Sequence, residues 1–369
     1  MKNIIYLFVV AMFVPILVTS CTTTESRILN SPTISTVAAT NVVAGQATAG
    51  GYVTTDGGAI LTEAGVCYDT ISGVTVAKNK MVCPHTFGGS YSVTLTGLKM
   101  GKTYYFKAYA INSIGTVYGS EMSFYVPIAI NGYYASSQIA PTNLIGYWAF
   151  ETSYIDSVSK KVGVANHASS LSFVTGKKGK ALQIATPGYV DTQVGSTISG
   201  LDSLTMVCWM QFPNTNGTFT YMPFSLNAAG YSWEQTKFFM LFNNADNTAG
   251  SYGKVCVMDH WFDKGQVWPK MLDGNWHQMA ISYNGSNGNL RIYIDGTLLA
   301  ASSGYNLGYT QANFGTANSF TLGGPDDTAH TANGWMNSLG GNLDEFRVYN
   351  KELTPIEVQS LYFLQNNGL

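Results

Sequence analysis

The sequence predicts an all-β molecule built from two successive sandwiches, and three observations carry that prediction. Charged residues make up only 11% of the 369 positions, while aromatics reach 13% and glycines number 39. That balance suits strands joined by tight turns better than solvated helices. Short alternating apolar and polar runs recur between Gly-rich turns, at the spacing typical of sandwiches. All seven Trp fall between Trp148 and Trp335, so the two halves of the chain need different interiors. The length suffices for more than one core. A formal net charge of -2, with no Lys/Arg-rich run, excludes a nucleic-acid partner, because neutralising a phosphate track takes a basic stripe.

Residues 1–20 differ from the rest. Lys2 precedes an apolar run from Ile4 to Val18, and Thr19, Ser20 and Cys21 follow. A basic start, a short apolar stretch and small residues describe a secretory signal. The run falls short of the roughly 20 residues of a membrane span. The segment VTSC resembles the lipobox of bacterial lipoproteins, which implies lipidation of Cys21 as the mature N-terminus and a lipid anchor in a membrane. Thr22 after the cysteine, in place of Asp, implies sorting to the outer membrane; the cell surface and the periplasmic face both stay open. Residues 21–30 then form a polar tether.

Residues 31–127 form the first expected domain. Tyr91, Val93 and Leu95 alternate, as do Tyr104, Phe106, Ala108 and Ala110. The stretch 97–112, GLKMGKTYYFKAYAIN, resembles a strand and its preceding corner in fibronectin type III domains, with Leu98, Tyr104, Phe106, Ala108, Ala110 and Asn112 on the pattern. The resemblance implies an Ig/fibronectin III-like sandwich in which the Tyr104 hydroxyl bonds to nearby backbone. Met100 and Lys102 depart from it, as does the lack of a core Trp, so the relative is divergent, and a spacer role is expected. Cys67 and Cys83 are candidates for a disulfide, since an exported chain meets oxidising surroundings; Cys208 and Cys256, in apolar runs, read as buried thiols. Residues 128–143 read as a linker.

Residues 144–369 form the second expected domain, with a short helix at its end. LIGYWAFE (144–151), GKALQI (179–184), GYVD (188–191), LTMVCWMQF (204–212), NWHQMAISYNGSNGNLRIYIDGTLLA (275–300) and GNLDEFRVYNKELTPIEVQSLY (341–362) appear in order. Asp295-Gly296 marks a tight hairpin. Thr354, Pro355 and Glu357 spell the start of a helix with a capping box. Together these segments resemble the concanavalin A-like, laminin-G-like (LamG) jelly-roll domains. Trp148, Trp209 and Trp276 are expected in the core.

Three chemistries come into question. Glycoside hydrolysis needs two carboxylates facing one bond, about 5 to 9 Å apart. No alternating acidic run occurs; the adjacent pairs Asp326–Asp327 and Asp344–Glu345 are expected on opposite strand faces. The expectation is a chain that is not an enzyme, with no catalytic residue. The jelly-roll resemblance implies one structural Ca²⁺, with Glu151, Asp156, Asn166 and Asp344 at matching positions; hard oxygen ligands suit that ion. The plainer alternative is that Asp344 pairs with Arg347 or Lys351. For ligand binding, Tyr231, Trp233, Trp261, Trp268 and Trp335 lie in loop-like stretches with Asp259, Asp326 and Asp327 nearby, a composition suited to sugar rings and hydroxyls. The expected function is carbohydrate (glycan) binding on a lipoprotein; the alternative is a protein-binding adhesin or structural surface protein without glycan binding, and a third reading, ranked below both, is a glycoside hydrolase.

Overall fold

The computed structural model describes residues 28–84, 88–212, 220–228, 236–243, 252–257, 260–262, 271, 273–307, 314, 315, 317–332, 334 and 336–369. The chain is all-β with a short C-terminal helix, as its composition predicts. It divides into two compact units between Ile128 and Ala129.

Unit 1 holds β1 (Thr33–Val43), β2 (Gln46–Thr55), β3 (Glu63–Asp69), β4 (Asn79–Val82), β5 (Gly89–Thr96), β6 (Lys102–Ile111), β7 (Thr116–Tyr118) and β8 (Met122–Val126). β1, β2 and β5 form one antiparallel sheet; β4, β3, β6 and β7 form the other, with β8 also pairing with β6. Inward residues of both sheets, among them Ala47, Val66, Leu95 and Phe106, share one core. Two polar groups tie the sheets and their ends. The Tyr91 hydroxyl, on β5, reaches Gly65 O on β3 at 2.7 Å. Buried Asn112 donates to the carbonyls of Asn30 and Asp56, both at 2.8 Å, which satisfies loop backbone that would otherwise be orphaned. The Tyr104 hydroxyl accepts from Lys99 N at 3.0 Å, the backbone bond its place in the sequence predicts.

Cys67 and Cys83, whose pairing the sequence leaves open, form no disulfide. Cys67 packs with Val74 and Tyr109, Cys83 with Val66 and Phe106, in separate clusters, and both thiols are free. Cys67 is level with Lys80 in the β3–β4 ladder, not with Cys83. Cys208 and Cys256 are buried, as expected, and burial pushes the Cys208 thiol far up.

Unit 2 begins with β9 (Leu144–Trp148), β10 (Val164–Asn166), β11 (Leu171–Thr175), β12 (Lys180–Ile184), β13 (Tyr189–Asp191), α1 (Gly195–Ser199) and β14 (Ser203–Gln211). It continues through β15 (Thr220–Asn227), β16 (Thr236–Asn243), β17 (Tyr252–Val257), β18 (His260–Phe262), β19 (Trp276–Asn284), β20 (Asn289–Ile294) and β21 (Thr297–Leu298). β22 (Ser319–Leu322), α2 (Asp327–Ala332), β23 (Gly341–Tyr349) and α3 (Pro355–Asn366) complete it. One sheet runs β10-β13-β22-β15-β16-β17-β18 and the other β11-β12-β23-β14-β19-β20-β21, with β9 pairing with β23. Phe224, Phe238, Phe320 and Met240 from the first sheet meet Trp148, Met210, Ile281 and Phe346 from the second in a single core.

The other face of the second sheet carries α3. Thr354 and Glu357 close the capping box, with bonds of 3.2 and 2.8 Å, and Pro355 sits in the first turn, as the sequence predicts. Val358, Leu361 and Leu364 cover Val207, Ala280 and Tyr349. Residues 128–143 are not a plain linker: Ile130, Tyr133 and Ile139 join this same cluster. Asn131 bonds to Ser360 at 2.9 Å, and Ser136 O accepts from Arg347 at 3.0 Å. Apolar residues at 130, 133 and 139 are what the plain linker reading overlooks. Trp148 is in the core as expected, whereas Trp209 is buried on the opposite face, stacked on Tyr362 of α3 at 5.6 Å.

Candidate functional site

β23 organises the functional face. Its pairing with β14 shifts between Val207↔Arg347 and Trp209↔Asp344, so three steps on β23 match two on β14. Glu345, at φ 51°, is the extra residue of a β-bulge. Asp344 and Glu345 therefore both project to the helix-covered face, where the plain alternation expected from sequence puts them on opposite sides. Glu345 accepts from the Tyr147 hydroxyl at 2.6 Å, from Arg347 at 3.0 Å and from Gln365 of α3 at 2.8 Å. Gln365 in turn accepts from Trp209 Nε1 at 2.9 Å and from Gln278 at 2.6 Å. The Glu345–Arg347 pair is almost fully buried, 1% and 3% exposed. A buried pair persists only when further hydrogen bonds support both partners. Tyr147 and Gln365 serve Glu345, and Ser136 serves the terminal nitrogens of Arg347, whose Nε has no partner among the described residues.

Among the described residues Asp344 makes no ion pair: Arg347 goes to Glu345 and Lys351 to Glu357 at 2.8 Å. Instead Asp344 Oδ2 accepts from Lys178 N at 2.9 Å, in the turn between β11 and β12. Glu151 reaches the same turn and accepts from Lys180 N at 3.1 Å. Glycine at 176 and 179 permits this approach. A Cβ at Gly179 (φ +64°) would stand 2.3 Å from both Glu151 carboxylate oxygens, and one at Gly176 2.6 Å from Asp344 Oδ2. Burial, with the neighbouring Glu345 charge adding to it, pushes the Asp344 carboxyl up to about 7. Asp344 Oδ1 also accepts from Glu345 N at 2.7 Å, so backbone N–H groups meet both of its oxygens. Among the described residues no group of three or more His, Cys, Asp or Glu gathers here. Two hard carboxylates reaching one turn supply only part of a Ca²⁺ ligand set.

The other two candidate ligands are corrected. Asp156 is buried, and its oxygens are consumed by the N–H groups of Tyr147 (2.8 Å), Val158 (2.9 Å) and Ser159 (3.0 Å) and by the Ser159 hydroxyl. It anchors its own loop to β9. Asn166 sits on β10, in the other sheet, and donates to Val164 O at 3.2 Å.

A cleft of about 560 Å³ lies where β11, β12, β23 and β14 come together at one end of their sheet, within the size range of ligand pockets. Ser172, Gln183, Asn342 and Gln211 line it, one from each strand, and are directly paired in the ladders: Ser172↔Gln183, Gln183↔Asn342, Gln211↔Asn342. Residues paired across a ladder share a face. Gly274 O orients the row: it accepts from Gln211 Nε2 at 2.9 Å, so Gln211 Oε1 is left to accept from Asn342 Nδ2, at 2.8 Å. Among the described residues, Asn342 Oδ1 is then buried with no hydrogen-bond donor. From the other end the Ser172 hydroxyl donates to Gln183 Oε1 at 3.0 Å. Trp276, paired with Gln211 and expected in the core, is half-buried and continues the row beyond the cleft.

Of the residues proposed from sequence as ligand contacts, Cys21 being the separate lipidation candidate, Tyr231, Trp233, Asp259, Trp268 and Trp335 lie with Cys21 outside the described residues. Trp261 stands on β18, opposite Cys256. Asp326 accepts from Ala329 N at 2.8 Å and so caps α2, and Asp327 pairs with His167 at 2.6 Å. Neither lines the cleft. Ser172, Gln183, Gln211 and Asn342 were missed by sequence reasoning. Their signal was a lone amide or hydroxyl at the outward position of an apolar strand, as in KALQI and WMQF.

Residues 185–359 match the family model Laminin_G_3, described as the concanavalin A-like lectin/glucanases superfamily, so a concanavalin A-like jelly-roll domain is present there. A curated relative, the rat (Rattus norvegicus) "Sushi, von Willebrand factor type A, EGF and pentraxin domain-containing protein 1", is 29% identical over 93 residues. The match covers 25% of this chain and 2% of that protein's length. Among solved structures, a Trypanosoma rangeli sialidase is similar at 11% identity and a TM-score of 0.45, over 72% of this chain and 43% of that one. A Limulus polyphemus SAP-like pentraxin is similar at 16% identity and a TM-score of 0.30, over 43% and 69%. The expectation of a chain that is not an enzyme is corrected here. Sialidases stand among the structural neighbours, and the matched superfamily takes in glucanases as well as lectins, so that expectation is withdrawn.

Proposed function

We propose that the jelly-roll domain binds carbohydrate, on a chain exported and held in the outer membrane through lipid at Cys21. What supports this reading is the cleft on β11, β12, β23 and β14, whose hydroxyl and amide side chains are the donors and acceptors that sugar hydroxyls require. Unit 1, read as a fibronectin type III-like module, serves as a spacer. Single carbohydrate contacts are weak, and many copies tethered to one membrane raise retention by avidity. One structural Ca²⁺ with Glu151 and Asp344 among its ligands belongs to this reading, and it would supply positive charge beside the buried Asp344 carboxyl. A glycan array probed with the full-length chain in mild detergent tests the reading. Binding to a defined glycan class is expected; no binding by a folded preparation overturns it and directs attention to a protein partner.

A further inference from the structure

The cleft says more about its ligand than that it is a sugar, and this inference rests on the carbohydrate reading above. We infer that the cleft takes a neutral oligosaccharide segment laid across the strands, its hydroxyls paired with Asn342 and Gln183. Three observations carry this.

The first is charge. Among the described residues that line the cleft there is no Asp, Glu, Lys, Arg or His. An acidic sugar would bring a carboxylate or sulfate into a half-enclosed space with no cation to meet it, and an unpaired charge there is costly. Uncharged hydroxyls bring no such demand.

The second is polarity at the middle of the row. Gly274 O sets the direction of the Gln211 and Asn342 amides and leaves Asn342 Oδ1 as a buried acceptor with no donor among the described residues. On the neighbouring strand the Ser172 hydroxyl occupies Gln183 Oε1, which leaves the Gln183 amide N–H groups to donate. An acceptor and a donor thus stand on directly paired residues. A sugar hydroxyl both donates and accepts, so neighbouring hydroxyls of one ring complement the pair. An unsatisfied buried acceptor is an expensive feature to keep, and a ligand hydroxyl removes that cost.

The third is length. Four adjacent strands at about 4.8 Å spacing make a row about 14 Å long, roughly three sugar rings. Beyond the end of that row, on β19 next to Gln211, stands Trp276, whose half-buried indole offers a flat apolar surface of the kind on which sugar rings lie.

The test is calorimetric titration of the full-length chain with neutral homo-oligosaccharides of glucose, mannose and xylose, one to five rings long. Sulfated, sialylated and uronate-containing oligosaccharides serve as the acidic set. N342A and Q183A are measured alongside, with melting temperatures to establish that each folds; Gln183 is exposed, so Q183A reports even where N342A does not fold. The expected result is binding of a neutral series, rising in affinity up to about three rings and weakened at least about tenfold, or 1.4 kcal/mol, in the folded variants. Binding confined to acidic glycans, or neutral binding unchanged in folded Q183A and N342A, overturns this inference and leaves the carbohydrate reading standing. No binding to any glycan overturns that reading as well.

Discussion

At the scale of single residues, chemistry here depends on which partner a polar group finds first. Arg347 takes Glu345, and that choice leaves Asp344 to the turn at 176–180. His277 makes the same point at the sheet's rim, where it sits between Asp295 at 2.8 Å and Asp273 at 3.1 Å. Its pKa is raised, first by the bond to Asp295, against the opposing effect of burial, and then by Asp273. A raised histidine stabilises fully below its unfolded value of about 6.5 and loses that contribution as pH rises through the folded value. Asp273 behaves oppositely. Burial works against its ionised form, but bonds from Asn275 and His277 prevail and hold it at about 2, so its contribution is lost only in strong acid. H277Q is therefore expected to cost about 1–2 kcal/mol at pH 6 and distinctly less at pH 9. Urea denaturation at the two pH values checks this; an equal loss at both would remove the charge from the account.

At the scale of elements, the β11–β12 turn, β9 and β23 form one structural knot, with Glu151 and Asp344 as its two acidic strands of rope. A cation there binds the folded chain and not the unfolded one, so it stabilises by mass action, by about 2.7 kcal/mol at a hundredfold excess over Kd. Ca²⁺ is expected to raise the melting temperature, EDTA to reverse it, and E151Q to abolish the response; a melting temperature indifferent to both additions removes the ion. Much at this scale was legible in the sequence. Strands such as LTMVCWMQF announce themselves by their apolar run, and the α3 cap by Thr354, Pro355 and Glu357. The bulge was not legible, because period-two alternation has no symbol for an extra residue. The cleft was not legible either, since Ser172, Gln183, Gln211 and Asn342 become neighbours only through the registers of four strands distant in sequence.

For the whole molecule, the partition read from composition holds: all seven Trp fall in the unit that spans residues 129–369, and unit 1 packs its core on smaller residues with Phe and Tyr. Where unit 2 begins was harder to read, because residues 130–139 look like a spacer until α3 is there to receive them. The placement of the chain in its cell turns on Cys21. Lipid at that cysteine predicts recovery in the detergent-extracted membrane fraction and incorporation of labelled fatty acid, both lost in C21A; a labelled C21A chain would refute the anchor.

The bulge at Glu345 also has a consequence for how the chain finds its fold. Were β23 to zip onto β14 as an uninterrupted ladder from its Tyr349 end, Leu343 would be turned out, and Asp344 and Asn342 would be thrust among Phe and Met side chains. Burying a carboxylate there would cost several kcal/mol. The flat pairing is thus self-rejecting. A single misfit residue works as a proofreading step, discarding the wrong alignment of the strand before the sandwich can close over it.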